Sequence, residues 1–299
     1  MAKIIYDYYN GIDLYSDGEI ENKIYDIVKK HDAKYIEEMI EKSNDWAILY
    51  HLSKNRQNIL IPCDIKKEDY CLEIGSGCGA ITEGILKYSE NVDAIELSKK
   101  RSLINYERNI CHDNLNIYVG NFVDIEKNLE KKYDKIFLIG VLEYSSLYIK
   151  NSDNPFLDLL KIVKNHLKED GNLYIAIENK YGMKYFSGAR EDHTGNFFES
   201  IEGYDNNTAK TFSNISLRKL LKKANYKNIY FYYPLPDYKF PNEIYSEDYL
   251  PKNNSLINLG HSLDRNRSII FNETKALNEA AKSDHFETFA NSFLIKAGV

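Results

Sequence analysis

Between Ile20 and Ile40 the apolar positions Ile20, Ile24, Val28, Tyr35, Ile36, Met39 and Ile40 recur at near-helical spacing among acids and lysines. Residues 19–42 therefore read as an amphipathic helix. A second helix is expected from Asp45 to about Leu52. From Asp69 the pattern changes to short, nearly all-apolar runs: Y-C-L-E-I, V-D-A-I-E, L-N-I-Y-V, K-I-F-L-I-G and N-L-Y-I-A-I-E. Helical segments separate them, from about Ala80, around Lys99 to Asn109, and around Pro155 to Leu167. A helix over Thr211 to Ala224, a strand N-I-Y-F-Y-Y and a last strand N-S-F-L-I-K-A complete the order. Strand and helix taking turns predict an α/β fold, a doubly wound, mostly parallel sheet covered on both faces.

Between the last two strands lies a segment of about residues 234–285 with four of the chain's six prolines at its start. It reads as a lid or substrate-side insertion. The organisation expected is an N-terminal helical cap over 1–66 and a core over 67–299 that carries this insertion.

Composition changes the picture little. Hydrophobic residues make up 43% and charged residues 28% of the 299, as in a globular chain able to bury a core. The formal charge of −6 gives no reason to expect a phosphate-backbone partner, so no nucleic acid is expected, with a local basic patch the open alternative. Cys63, Cys71, Cys78 and Cys111 form no C-x-x-C and no metal spacing with histidine, and read as reduced thiols. The first residues lack the apolar stretch of a signal peptide, and no run is long enough to span a bilayer, so a cytoplasmic location without membrane insertion is expected. The 25 tyrosines, with abundant Ile, Lys and Asn, match an AT-rich coding bias and carry no functional reading.

The candidate chemistry starts at C-L-E-I-G-S-G-C-G-A (Cys71 to Ala80), where the first strand of the alternating series meets a helix. Gly75, Gly77 and Gly79 allow a sharp turn and close approach to a ligand. The turn satisfies a dinucleotide fingerprint by the letter, so its neighbours decide. Glu96 ends the second run about twenty residues on and suits ribose hydroxyls. Glu73 stands two positions before the first glycine; its carboxylate suits an ammonium and a sulfonium, not a pyrophosphate. The alternative for Glu73 is a pairing with a local lysine. Asn121 and Phe122 follow the third run, and Gly140, Glu143 and Tyr144 follow the fourth. In such sheets ligands bind beyond the carboxyl ends of the strands, so these groups are expected on one rim.

L-E-I-G-S-G-C-G, Glu96, G-N-F and G-V-L-E-Y together resemble the class I S-adenosylmethionine-dependent methyltransferases over about residues 69–180. The resemblance implies a seven-stranded sheet whose last strand, Ser292 to Lys296, runs antiparallel. It implies that Glu73 and the glycines hold the methionine part of the cofactor, Glu96 the ribose, and Asn121 with Phe122 the adenine. Many members carry aspartate where Asn121 stands; an amide still bonds the adenine amino group. The cofactor-binding set expected is Tyr50, Arg56, Glu73, Gly75, Ser76, Gly77, Gly79, Glu96, Leu97, Asn121, Phe122 and Gly140. Tyr50, His51 and Arg56 either cover the methionine end or sit on a surface helix.

A narrower likeness covers nearly the whole chain. Y-H-L-S-K-N-R-Q-N-I-L, I-E-N-K-Y-G-M-K-Y-F-S-G-A-R-E-D-H-T-G, F-F-E-S-I-E-G-Y and Y-Y-P-L-P-D-Y-K-F-P resemble methyltransferases of bacterial surface-polysaccharide and glycan biosynthesis. It implies O- or N-methylation of a sugar or small amino-containing unit of a surface or flagellar glycan, with a glycosyltransferase or other glycan-pathway enzyme as partner. The alternatives are a nicotinamide-dependent oxidoreductase on a nucleotide sugar and a non-catalytic cofactor-binding scaffold for a glycosyltransferase.

The loop from Glu178 to Gly195 follows the fifth run and is expected over the methyl donor. His193 is its candidate general base, with Glu191 and Asp192 either orienting it or raising its basicity. Glu143, Tyr144, Glu178, Tyr185, Arg190 and Tyr204 are the candidate acceptor binders. The alternative is a structural loop in which these groups cap helices and pair with one another. Glu191, Asp192 and His193 are adjacent on one loop and rarely complete a coordination shell, so no metal is expected.

Overall fold

A computed structural model describes residues 1–13, 16–204, 209–252, 254–260 and 265–299. Nine strands are present among them: β1 (Lys3–Ile5), β2 (Tyr70–Ile74), β3 (Asn91–Glu96), β4 (Leu115–Val119), β5 (Tyr133–Ile139), β6 (Leu167–Glu178), β7 (Lys227–Leu235), β8 (Glu243–Ser246) and β9 (Ser292–Gly298). The chain divides into two compact units, residues 1–138 with 166–172, and residues 139–165 with 173–299.

In the first unit the strand order is β1-β4-β3-β2-β5, with every pair parallel. β2, β3 and β5 are buried along nearly their whole length, which is why their runs are apolar without alternation. Helices α1 (Ile20–Val28), α2 (Ala33–Lys42), α3 (Trp46–Leu52), α4 (Ala80–Leu86) and α5 (Lys99–Arg108) belong to this unit. Ile24, Ile27, Val28, Ile48 and Leu52 are buried together with Cys78 and Ile104, and Tyr35, Ile36, Met39 and Ile40 pack against them. Each fully buried aliphatic side chain here contributes about 1.5–3 kcal/mol relative to exposure. The N-terminal helices thus back directly onto the glycine turn and α5.

The single helix expected over 19–42 is two. His31 has φ 53°, a left-handed stop, and Asp32 caps the next helix by accepting from the Lys34 and Tyr35 amides at 2.9 and 3.1 Å. The apolar spacing continues across the break, so periodicity alone does not reveal it.

In the second unit the order is β6-β9-β7-β8, with β7 antiparallel to both β9 and β8. The antiparallel last strand expected from the sequence is β9. The seven expected strands are all present, but the count of seven is corrected to nine. β1 is a three-residue K-I-I, too short to show a period, and pairs in register with β4. β8 lies inside the proline-rich segment and pairs with the end of β7. The rest of that segment, as far as it is described, supplies Asp237 and Lys239 to the site below. It also lays residues 265–270 along the loop after β6, through Ser268 N to Gly188 O and Ile270 N to Ser187 O.

Candidate cofactor and acceptor sites

In the first unit the turn after β2 is held by β3: the Gly75 and Ser76 amides donate to Ile95 O at 2.8 and 3.1 Å. Gly75, Gly77 and Gly79 all have positive φ. A Cβ on Gly77 would meet nothing within 4 Å, whereas one on Gly79 would collide with Asn105 Oδ1. The turn is therefore open at Gly77 and closed against α5 at Gly79.

Glu73 is fully buried at the end of β2, and its Oε2 accepts from Thr82 Oγ1 at 2.5 Å. Asn105 Nδ2 donates to both Thr82 Oγ1 and Ser76 Oγ, at 3.0 and 3.1 Å. Burial pushes the Glu73 carboxyl up to about 8, against the lowering by Thr82 and by the Arg56 guanidinium. A buried carboxyl that resists ionisation alone, beside an open glycine turn, suits a ligand cation, so these residues fit the methionine end of S-adenosylmethionine. Glu96 accepts from the Gly77 and Ser98 amides at 2.7 and 2.8 Å, and burial raises its pKa. Leu97, half-buried, follows it. Asn121 caps the short helix α6 (Phe122–Ile125), its Oδ1 accepting from Val123 N at 3.3 Å, and the Phe122 ring is buried against His166.

Tyr50 and Arg56 form a stacked pair, the guanidinium carbon 3.8 Å from the ring centroid and Nη2 3.0 Å from the hydroxyl. Arg56 is buried, and its Nε has no hydrogen-bond partner among the described residues. His51 faces elsewhere, with Nε2 2.7 Å from Asp17 Oδ2. Thr82 and Asn105, which complete the polar network under the turn, do not stand out in the sequence. Thr82 sits in the first turn of α4, where a helix leaving a glycine turn directs a side chain back at the strand end, and that position is the one signal pointing to it.

In the second unit Gly140 opens the corner after β5, with φ 70° and its amide donating to Ala176 O at 2.9 Å. Glu143, Glu178 and His193 come together from that corner, the end of β6 and the following loop, with ligand atoms all within 4.8 Å of one another. Glu143 is fully buried and neither carboxylate oxygen has a partner among the described residues. Burial pushes its pKa up to about 8, the most strongly opposing group being His193. Glu178 Oε1 pairs with Lys239, and its Oε2 lies 3.5 Å from His193 Nε2. Burial works against its ionisation, but Lys239 and His193 outweigh it and hold the carboxyl down to about 2. His193 Nδ1 is 2.9 Å from Tyr144 Oη, and the two rings meet edge to face. Burial lowers the His193 pKa, but Glu178, Glu143 and Glu191 reverse this and raise it to about 9.

Of the two roles expected of Glu191 and Asp192, the orienting bond to the His193 ring is not made, while the Glu191 charge does help to raise the His193 pKa. Glu191 Oε2 accepts from the His193 and Thr194 backbone amides, both at 2.7 Å, and Oε1 from Tyr204 Oη at 3.1 Å. Asp192 accepts from Lys184 at 2.8 Å, Lys239 at 2.7 Å and Tyr185 Oη at 2.6 Å. A turn that reverses within five residues leaves amides that only a nearby carboxylate satisfies, and Glu191 serves them. Tyr185 and Tyr204 are likewise engaged inside the loop. Arg190 is exposed, its Nη1 donating to Gly195 O at 3.1 Å. Lys184, Asp237 and Lys239 escape the sequence pattern; Lys239 stands 61 residues from its partner Glu178, a separation no local pattern spans.

The sequence model of the family described as "Ribosomal RNA adenine dimethylase" matches residues 52–148. The Ribosomal RNA small subunit methyltransferase A of Borreliella burgdorferi is 36% identical over 93 residues, 31% of this chain and 33% of that protein. The protein of the same name from Sulfurihydrogenibium is 29% identical over 152 residues, covering 45% of this chain and 59% of its own length. The chain thus spans about a third of the length of the first of these relatives and over half of the second. A SAM-dependent methyltransferase from Archaeoglobus fulgidus shares the fold, with a TM-score of 0.50 at 15% identity, over 85% of this chain and 100% of that one.

These findings overturn the glycan acceptor, the glycan-pathway partner and the expectation of no nucleic acid, since the relatives are named for ribosomal RNA. The motifs that suggest glycans lie mostly outside residues 52–148, and a whole-chain charge of −6 does not describe a local surface. The nicotinamide alternative falls with them. No helix among the described residues is long and apolar enough to cross a membrane. The chain has the fold of the S-adenosylmethionine-dependent methyltransferases, and its residues 52–148, which hold the candidate cofactor turn, are similar in sequence to ribosomal RNA methyltransferases.

Proposed function

We propose that the protein transfers methyl groups from S-adenosylmethionine to the amino nitrogen of an adenine in RNA. The observation that carries this reading is the extent of the family match. It runs from the helix before β2, through the Glu73 turn, to the Glu143–Tyr144 corner after β5, and so includes residues on both the cofactor and the acceptor side.

In this reading Glu73 holds the methionine ammonium, with Tyr50 and Arg56 covering that end. Gly75, Ser76, Gly77 and Gly79 let the backbone approach the cofactor, Glu96 and Leu97 meet the ribose, and Asn121 with Phe122 the adenine ring. Gly140 opens the corner that carries Glu143 and Tyr144. The acceptor nitrogen attacks the methyl carbon in line, the C–S bond breaks with its electron pair passing to sulfur, and the new N-methyl cation loses a proton to water. An adenine amino group is uncharged at neutral pH, so the step asks for alignment and not for a strong base. His193, whose raised pKa keeps it protonated near pH 7, is then not required as one.

RNA needs local positive charge, and the second unit has it. Helices Pro155–Asn165 and Asn214–Lys223 pack together and between them carry Lys161, Lys164, Lys219, Lys222 and Lys223. Lys164 has its pKa lowered, by burial first and then by the like charge of Lys227. Such a patch favours a phosphate backbone.

The test is transfer of labelled methyl from S-adenosylmethionine to small-subunit ribosomal RNA, followed by nucleoside analysis. Label in N-methylated adenine is the expected result. Tight cofactor binding with no label in any RNA overturns the acceptor assignment.

A further inference from the structure

We propose that Glu143, Glu178 and His193 form the protein side of a binding site for one divalent first-row transition cation, of the Mn2+ or Zn2+ kind. The inference is independent of the acceptor's identity.

The three side chains come from separate segments, yet their ligand atoms lie within 4.8 Å of one another in the interior of the second unit. What distinguishes the cluster from an ordinary group of acids is unmet bonding capacity. Glu143 Oε1 and Oε2 are buried without a hydrogen-bond partner among the described residues, and Glu178 Oε2 and His193 Nε2 are buried with only each other, 3.5 Å apart, as an ion pair. Buried polar atoms are nearly always paired, so two unpartnered carboxylate oxygens facing a loose ion pair call for a shared occupant.

The other atoms of each group are already fixed in the way metal ligands are. His193 presents Nε2 while Nδ1 is tied to Tyr144 Oη at 2.9 Å. A second bond of this kind sets ring orientation in metal-bound histidines. Glu178 presents Oε2 while Oε1 is held by Lys239. The Glu143 carboxylate has no such tether among the described residues, so it can rotate onto the ion and bind through one oxygen or two. The 3.5 Å from His193 Nε2 to Glu178 Oε2 is close to the edge of a coordination polyhedron with bonds of roughly 2.0–2.2 Å.

Charge points the same way. Lys184 and Lys239 face Asp192 and Asp237 within 4.0 Å, a balanced set. A dication there binds Glu143 and Glu178 as carboxylates and His193 as a neutral imidazole, displacing the protons that Glu143 and His193 hold near pH 7 without it. One nitrogen and two carboxylates favour Mn2+ or Zn2+ over Mg2+, which prefers all-oxygen sites and keeps its water. Three protein ligands leave coordination positions for water or for an acceptor atom.

The experiment strips the full chain with a chelator, confirms S-adenosylhomocysteine binding by calorimetry, and titrates it with Mn2+ and Zn2+. One ion per chain is expected, with affinity reduced at least ~10-fold in Glu143→Gln and in His193→Gln and hardly changed for cofactor binding. Wild-type affinity in both variants overturns the site, as does failure of the wild type to bind either ion. Should a variant not fold, electron spin-echo spectra of Mn2+ bound to the wild type decide. Imidazole-nitrogen modulation supports His193 as ligand, and its absence overturns it. Because cofactor binding is measured separately, failure here is distinguishable from failure of the RNA reading.

Discussion

Glu73 Oε2 and Thr82 Oγ1 are 2.5 Å apart, joining the end of β2 to the first turn of α4 beneath the glycine turn. The bond occupies one oxygen of a carboxyl whose pKa is raised to about 8 by burial. Without a ligand cation this carboxyl therefore holds a proton at neutral pH that a bound ammonium displaces. Calorimetry of S-adenosylhomocysteine binding at pH 7 in buffers of different ionisation enthalpy should show proton release. Glu73→Gln should abolish that release and weaken binding by about tenfold or more, roughly the 1.4 kcal/mol or more of a charge-assisted hydrogen bond. Unchanged affinity in the variant would remove Glu73 from the cofactor assignment.

The same shift fixes a sign for stability. The folded pKa lies above the ordinary glutamate value of 4.5, so the stability linked to the bound proton is full below that value. It declines as pH rises towards and through about 8. Urea unfolding of the cofactor-free protein should show a decline across this window, and Glu73→Gln should flatten it. Saturating cofactor should flatten it too, because the ligand stabilises the ionised form.

Gly77 and Gly79 separate two functions of one turn. Alanine at Gly79 adds left-handed strain at φ 82° and a Cβ that collides with Asn105 Oδ1. Asn105 cannot yield easily, since Ser76, Thr82 and Asn109 all bond its amide. The cost should be on the order of 3 kcal/mol, strain plus overpacking. At Gly77 the Cβ enters open space, so only the strain of roughly 1–2 kcal/mol applies. The Gly77 variant should remain folded yet bind cofactor more weakly, and denaturant titration alongside calorimetry reads both effects.

The seven long strands are legible in the sequence because each leaves an apolar run bounded by turn residues, as burial on both faces requires. β1 and β8 are not, since their three and four residues carry too little pattern. In the loop after β6 the residue types are visible but their partners are not. Glu191 satisfies the backbone of its own turn, and Asp192 is bound by Lys184 and Lys239. Which acid meets which base depends on where the segment carrying Lys239 returns, and that is a tertiary fact. Net charge misleads for a related reason: a sum over the chain contains no positions.

Glu191 and Asp192 should therefore behave as structural groups of different weight. Glu191→Ala leaves the His193 and Thr194 amides and Tyr204 Oη without their acceptor, at about 1–3 kcal/mol. Asp192→Ala leaves the buried Lys184 only Asp237 at 3.6 Å and weakens the setting of Lys239, at roughly 2–4 kcal/mol. Thermal melts and limited proteolysis at the 191–195 turn test the order. If either variant instead keeps wild-type stability while methyl transfer disappears, the group has a direct chemical role.

Lys222 and Lys223 lie exposed in the last turn of the helix Asn214–Lys223 and join none of the ion pairs among the described residues. If RNA lies across this patch, each lysine releases counterions on binding. Lys222→Gln with Lys223→Gln should then weaken RNA binding across sequences, with the slope of log affinity against log salt falling by roughly 0.7–0.9 for each phosphate the variant no longer neutralises. Cofactor affinity should be unchanged, and stability should move by no more than ~0.5 kcal/mol, as for surface substitutions. Filter binding over a range of salt concentrations supplies the slope. An unaltered slope together with unaltered affinity would assign RNA binding to another face, such as the exposed Arg190 edge of the loop.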